Sequence, residues 1–179
     1  AQIDRMTDEL GGAEITRGSG SALTTQAGGP KIVWIADEEP AAYAAARRLF
    51  MPASWLARHL TGAYVLDRQS ASQVSPLYDV EREEWHADNW ARYAPGIEAP
   101  RLLWAGDIAG QVTDAAAAAT GLPAGIPVIA GTIDAWSEAV SVGAHEFGDL
   151  MLMYGTTMFL VATGTETLRT PSMWTTVGA

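Results

Sequence analysis

Two apolar runs, Leu150–Tyr154 and Met158–Ala162, flank the glycine-centred triplet Gly155-Thr156-Thr157. Strand-forming side chains on both sides of a glycine turn read as a β-hairpin. Upstream, Ile126-Pro-Val-Ile-Ala130 reads as a short buried strand ending at Gly131, and residues 134–142 carry helix formers with apolar spacing. Residues 126–165 therefore run strand, glycine, a carboxylate (Asp134) near a helix start, Gly143, hairpin. That order is α/β in character.

The chain before this stretch is helical in pattern. Ile3, Met6 and Leu10 share one face of a first helix. Residues 11–30 are rich in Gly, Ser and Thr and read as a connecting loop. Pro30 suits a first helical turn and opens an apolar helix over 31–36. Pro40 opens another that runs through Ala46 to Phe50, and Pro52 a third that ends at Leu60, with Gly62 as its stop signal. Residues 65–82 read as irregular, leading into a helix over 85–93. The alanine-rich stretch 109–120 reads as helix ending at Gly121. No internal repeat is present.

Composition narrows the classes open to this chain. Hydrophobic residues make up 48% and charged residues 18% of 179 positions, which is globular composition for one domain or one and a part. The formal net charge of -10 opposes nucleic-acid backbones and anionic lipid surfaces. No apolar segment approaches bilayer-spanning length. There is no cysteine, so disulfides and thiolate metal sites are excluded and a cytoplasmic location is expected. His59, His86 and His145 lack metal-ligand spacing, so no protein-held metal is expected. These properties leave room for a homodimer.

A carboxylate just beyond the carboxyl end of a buried strand sits where open α/β sheets place their ligands. A glycine turn exposes backbone N–H groups, and two threonine hydroxyls add donors. Phosphoryl transfer to a hydroxyl needs that pairing: one group to take the hydroxyl proton, and donors to steady the phosphate. Taken alone, Asp134 also fits a helix N-cap, and the Gly-Thr-Thr turn a plain hairpin.

Five stretches in order resemble the FGGY carbohydrate kinases. Val128-Ile-Ala-Gly-Thr-Ile-Asp-Ala-Trp-Ser-Glu-Ala-Val-Ser-Val-Gly143, followed by Met153-Tyr-Gly-Thr-Thr-Met-Phe159, is similar to that family's core. Lys31-Ile-Val-Trp-Ile-Ala-Asp-Glu38 resembles its first signature, built on Lys-x-x-Trp. Ser54-Trp-Leu-Ala-Arg-His-Leu-Thr-Gly62 resembles its Leu-Thr-Gly helix, and Thr120-Gly-Leu-Pro-Ala-Gly-Ile-Pro-Val128 the run before its base. The likeness covers nearly all of residues 24–179.

The resemblance implies part of an actin-like (ribonuclease H-like) ATPase fold: helical elaboration of lobe I, then strand, helix and a phosphate-binding hairpin. It implies residues 1–146 as the remainder of the N-terminal lobe and 147–179 as the start of the second. Asp134 would be the catalytic base, and Gly155, Thr156 and Thr157 would bind the phosphates of ATP, which carries Mg²⁺. The substrate would be a sugar, with a pentulose such as xylulose or ribulose favoured. The family's Asp-x-Gly-Thr phosphate loop and its adenine-binding region are not among these 179 residues, so the isolated chain is expected to be inactive. Ala135 stands where xylulokinases tend to carry Asn and glycerol kinases Gln, and Gln26 falls about where glycerol kinases have a substrate-contacting Tyr. A non-catalytic or truncated kinase-like module that binds a sugar or a partner protein is the alternative.

Simpler roles compete at other positions. Glu138, one turn beyond Asp134, reads as a solvated charge. The tryptophans read as packing, with Trp136 singled out for testing because it adjoins the proposed base. Met151, Met153 and Met158 read as strand core.

Overall fold

Helix signals cluster at the start of the chain, and the computed structural model follows them; it describes residues 1–156, 158–169 and 173–177. Helices α1 (Gln2–Leu10), α2 (Gly12–Ser19), α3 (Gly28–Glu38), α4 (Pro40–Ala45) and α5 (Pro52–Thr61) precede strand β1 (Val65–Asp67). A short helix α6 (Arg68–Ser72), the two-residue strands β2 (Tyr78–Asp79) and β3 (Glu84–Trp85), and helix α7 (Ala87–Tyr93) follow. Then come β4 (Arg101–Leu103), β5 (Ile108–Gln111), α8 (Asp114–Thr120), β6 (Pro127–Ile129), α9 (Asp134–Ser141) and the hairpin strands β7 (Leu150–Tyr154) and β8 (Met158–Ala162).

β1 organises the interior. It pairs in parallel with β4, Val65 opposite Arg101 and Asp67 opposite Leu103. Successive side chains of a strand point to opposite faces. Leu66 accordingly enters one cluster with Met6, Ile32, Val74, Leu77, Tyr78 and Trp90. Val65 enters another with Ala57, Leu103, Ala109 and Ala130. A strand buried on both faces is what a parallel pair requires, and each buried aliphatic side chain contributes about 1.5–3 kcal/mol.

Several boundaries differ from the sequence expectation. Within the stretch read as a loop, residues 12–19 form α2, because Ile15 is buried and the flanking glycines cap the helix instead of breaking it. α3 begins two residues before Pro30, which lies in its first turn. α4 ends at Ala45, since Ala46 turns extended and Arg48 reaches across to bridge Glu98. Residues 65–82 are not irregular: they hold β1, α6 and β2, with Gln69, Ser70 and Ser72 buried. α7 starts at Ala87, where the His86 ring nitrogen accepts the Asn89 N–H, while Trp85 belongs to β3. The alanine-rich helix starts at Asp114 because Thr113 caps it, and Ala109 lies in β5. β6 pairs antiparallel with β5 and is not a buried strand, for Ile129 is exposed. The hairpin and the stop of α5 at the left-handed Gly62 match expectation. No helix among the described residues is long and apolar enough to cross a membrane.

The last described residues return to the first helices: Thr175 donates its N–H to Ser21 Oγ at 2.7 Å, and Val177 packs on the main cluster.

Buried phenols make stability sensitive to alkali. Burial, and then donation to Glu9 Oε2 at 2.7 Å, pushes the Tyr93 hydroxyl up to about 12 from an ordinary 10.0. Burial raises Tyr78 strongly as well. A group held protonated in the fold stabilises fully below its unfolded pKa and loses that contribution as pH rises through the folded value. The urea midpoint is therefore expected to hold to about pH 10 and fall as pH rises toward 12, with tyrosinate absorbance appearing late. Tyr93→Phe should shallow that fall; an unchanged slope counts against Tyr93 as a source.

Candidate active site

The chain between β6 and α9 is held at each successive residue. Ala130 donates its N–H to Asp107 O at 2.9 Å, and Gly131 donates to Ala105 O at 3.0 Å. Gly131 has φ +70, and a Cβ there would stand 3.3 Å from the Ala53 methyl. Thr132 Oγ1 lies 2.9 Å from Asp67 Oδ2. Ile133, extended at φ -72 and ψ 161, sends its side chain into the cluster of Trp136, Ala139 and Met151. Asp134 then opens α9, exposed, its Oδ1 accepting the Ala135 N–H at 2.8 Å.

α9 packs on the hairpin through this cluster, with Phe159 and Val161 joining Met151 from the strands. The strand register sets Met151 opposite Val161 and Met153 opposite Phe159, so the inner row meets the helix. Gly155 and Thr156 form an exposed bend at the hairpin tip. Thr157 lies outside the described residues. Asp134 and the bend thus belong to one packed helix–hairpin unit, and among the described residues no hydrogen bond joins them. The bend's backbone N–H groups and the Thr156 hydroxyl are donors whose chemistry fits phosphate oxygens.

Three polar residues join this region that the sequence reading did not single out. Asp67, at the carboxyl end of β1, is 1% exposed. Its Oδ2 accepts both the Ser70 N–H, at 2.9 Å, and the Thr132 hydroxyl. Gln69 lies 3.3 Å from Thr132 Oγ1 and 3.5 Å from Thr176 Oγ1. A hydroxyl carries one proton, so the shorter contact with Asp67 takes it. With its amide turned over, Gln69 donates to Thr132 and accepts from Thr176, so that both contacts have a donor and an acceptor. The available signal was a polar run, Asp67-Arg-Gln-Ser, directly after two apolar strand residues.

Other positions take plainer roles. Trp136 is buried in the helix–hairpin core, which makes it a packing residue and not a sugar platform. Glu138 is exposed. His86 caps α7, and His59 stacks beside Trp55 at 4.0 Å. Gln26 is exposed, its carbonyl accepting from Lys31 Nζ at 3.3 Å. Among the described residues no group of three or more His, Asp or Glu could hold a metal ion.

With this geometry in place, likeness to known proteins is informative. The profile of the FGGY family of carbohydrate kinases, N-terminal domain, matches residues 1–141. The ribulokinase of Mycolicibacterium smegmatis is 36% identical over 152 residues, 78% of this chain and 26% of that protein. The autoinducer-2 kinase of Klebsiella pneumoniae is 28% identical over 158 residues, covering 87% and 29%. The solved xylulose kinase of Rhodospirillum rubrum superposes with TM-score 0.89 at 26% identity, over 97% of this chain and 36% of that one. The chain belongs to the FGGY family of carbohydrate kinases. Its solved relatives have the actin-like ATPase fold, of which these residues form a part. Members of the family are phosphotransferases with an alcohol group as acceptor. The chain spans about a third of the length of the relatives it matches.

Gly131 gives a direct stability test of the turn before Asp134. A side chain there meets left-handed backbone, costing about 1–2 kcal/mol, and the Ala53 methyl as well. Gly131→Ala is expected to lower the unfolding free energy by at least ~1 kcal/mol in urea. Gly106→Ala, with open space around it, should stay within about 0.5 kcal/mol. Equal effects at both sites would rule out the constraint at 131.

Proposed function

We propose that this chain is the part of an ATP-dependent sugar kinase that carries the catalytic base, with Asp134 in that role. What supports the assignment is a single arrangement: an exposed carboxylate on the first turn of α9, whose opposite side packs on a hairpin tipped by Gly155-Thr156. Asp134 Oδ1 is occupied by the Ala135 N–H, which leaves Oδ2 to accept the proton of a sugar hydroxyl. The hairpin bend, Gly155 and Thr156 with Thr157, would hold the transferring phosphate through N–H and hydroxyl donors. ATP with Mg²⁺ supplies the phosphoryl group when bound.

The domain division follows the same reading. Residues 1–146 would complete the N-terminal lobe, in keeping with the family match over 1–141, and 147–179 would open the second lobe. A cytoplasmic location accords with a nucleotide substrate and a cysteine-free chain. A pentulose is the favoured acceptor, since relatives named for ribulose and xylulose stand among the similar proteins.

In the full-length protein, Asp134→Asn is expected to lower sugar-dependent kcat by about 10²–10⁴-fold with an unchanged thermal midpoint. Near-normal turnover removes Asp134 from the role of base. Thermal shifts with pentuloses, hexuloses and polyols identify the acceptor class, because a ligand bound to the native state raises the midpoint by mass action. The largest shift should come from a pentulose; a shift with polyols alone would displace that choice.

A further inference from the structure

We propose that Thr132 and Asp67 form a positioning pair for Asp134, a half-buried hydroxyl–carboxylate contact that fixes where the base-bearing end of α9 stands relative to the sheet. The proposal rests on the reading of Asp134 as the base. Thr132 precedes Asp134 by two residues, and its Oγ1 sits 2.9 Å from Asp67 Oδ2. Asp67 is immobile at its own end: it terminates the parallel strand β1, caps α6 through the Ser70 N–H, and is 1% exposed. Its other oxygen, Oδ1, is buried without a hydrogen-bond partner among the described residues.

Packing alone does not call for that arrangement. A carboxylate carried to such depth is costly unless donors meet it, whereas an aliphatic side chain would fill the same space without the cost. Hydrogen bonds to charged groups are shorter and more directional than apolar contacts, so this one fixes an orientation that packing leaves loose. The neighbours of Thr132 divide the task. The Gly131 N–H is bonded to Ala105 O, and Ile133 is embedded in the α9–hairpin core. Among the described residues, the turn's hydrogen bond to β1 comes from Thr132, beside the apolar packing of Ala130 with Val65. Freed of that link, the first turn of α9 can pivot about Ile133, and a displacement of about 1 Å at a reacting group costs on the order of 10²-fold in rate.

The test uses the full-length protein and compares Thr132→Val, Thr132→Ser and Asp134→Asn, singly and as the Thr132→Val/Asp134→Asn double variant. Thr132→Val is expected to lower kcat roughly 10–100-fold while KM for the sugar stays close to its original value. Thr132→Ser, which keeps the hydroxyl, should restore most of the turnover. In the double variant, Thr132→Val should add nothing to the loss already caused by Asp134→Asn, because a residue acting through another is non-additive with it. Hydrogen exchange on the same full-length variants supplies a readout free of activity: Thr132→Val should quicken exchange at amides 131–135 and leave β1 and β4 protected. Normal kcat in Thr132→Val, or losses that simply add in the double variant, would overturn the pair while leaving Asp134 as base. Normal kcat in Asp134→Asn would sink the base reading and this proposal together. Should Thr132→Val lower the thermal midpoint so far that kinetics are uninformative, Thr132→Ser decides, since a serine variant with fully lost turnover and a native midpoint contradicts a role for the hydroxyl.

Discussion

A carboxylate at the end of a buried strand is the constraint around which this structure is arranged. Asp67 lies at the end of β1, where the two faces of the strand have already been filled by apolar clusters. Charge there is costly, and only donors brought close can offset it. The chain supplies them from opposite directions: the first turn of α6 offers the Ser70 N–H, and the turn before α9 offers the Thr132 hydroxyl. Both turns are thereby tied to one strand end, although 65 residues separate Asp67 from Thr132. The Gln69 side chain extends the connection to Thr176, among the last described residues.

Elements whose apolar face follows a simple period were legible in the sequence. The hairpin is the clearest case, with two short apolar runs and a glycine between them, and the structure pairs Leu150 with Ala162 and Tyr154 with Met158. α9 was equally open to reading, because Trp136 and Ala139 fall three residues apart on one buried face. α2 was not, since one buried isoleucine gives no period and its glycines look like a loop until they are seen to lie at its two ends. β5 was hidden within an alanine-rich stretch: Ala109 suits either state, and pairing with β6 decides for the strand. The Asp67 network escaped for a different reason. A buried polar cluster is formed by tertiary contact across 65 residues, and a single sequence carries no sign of which polar residues will meet.

Surface charge contributes less to this organisation than the abundance of acidic residues suggests. The ion pairs Arg5–Asp37, Arg92–Glu9 and Arg48–Glu98 are all partly exposed, and such pairs typically supply about 0–1 kcal/mol each. Their effect is on geometry: they dock α1 on α3 and α7 and hold residue 48 beside residue 98. The interior clusters and the buried carboxylate, which solvent screens far less, set the fold itself.

Under the proposed role of Asp134 as base, its neighbourhood limits how an acceptor hydroxyl would be recognised. Residue 135 is an alanine, and its backbone N–H is already donated to Asp134 Oδ1. A methyl group has neither donor nor acceptor, so this position can contact a sugar carbon but not a sugar hydroxyl. Ser137 turns its hydroxyl back to Ile133 O at 2.9 Å, which removes a further donor from the exposed face of the first helical turn. Among the side chains of the first turn of α9, Asp134 Oδ2 is thus left as an acceptor, which suits the proposed role, while Ala135 adds nothing that could distinguish one sugar from another. Under the proposed role of Asp134, selectivity among sugars would rest on groups other than the Ala135 side chain, which fits a family whose members share a fold while bearing names for different acceptors.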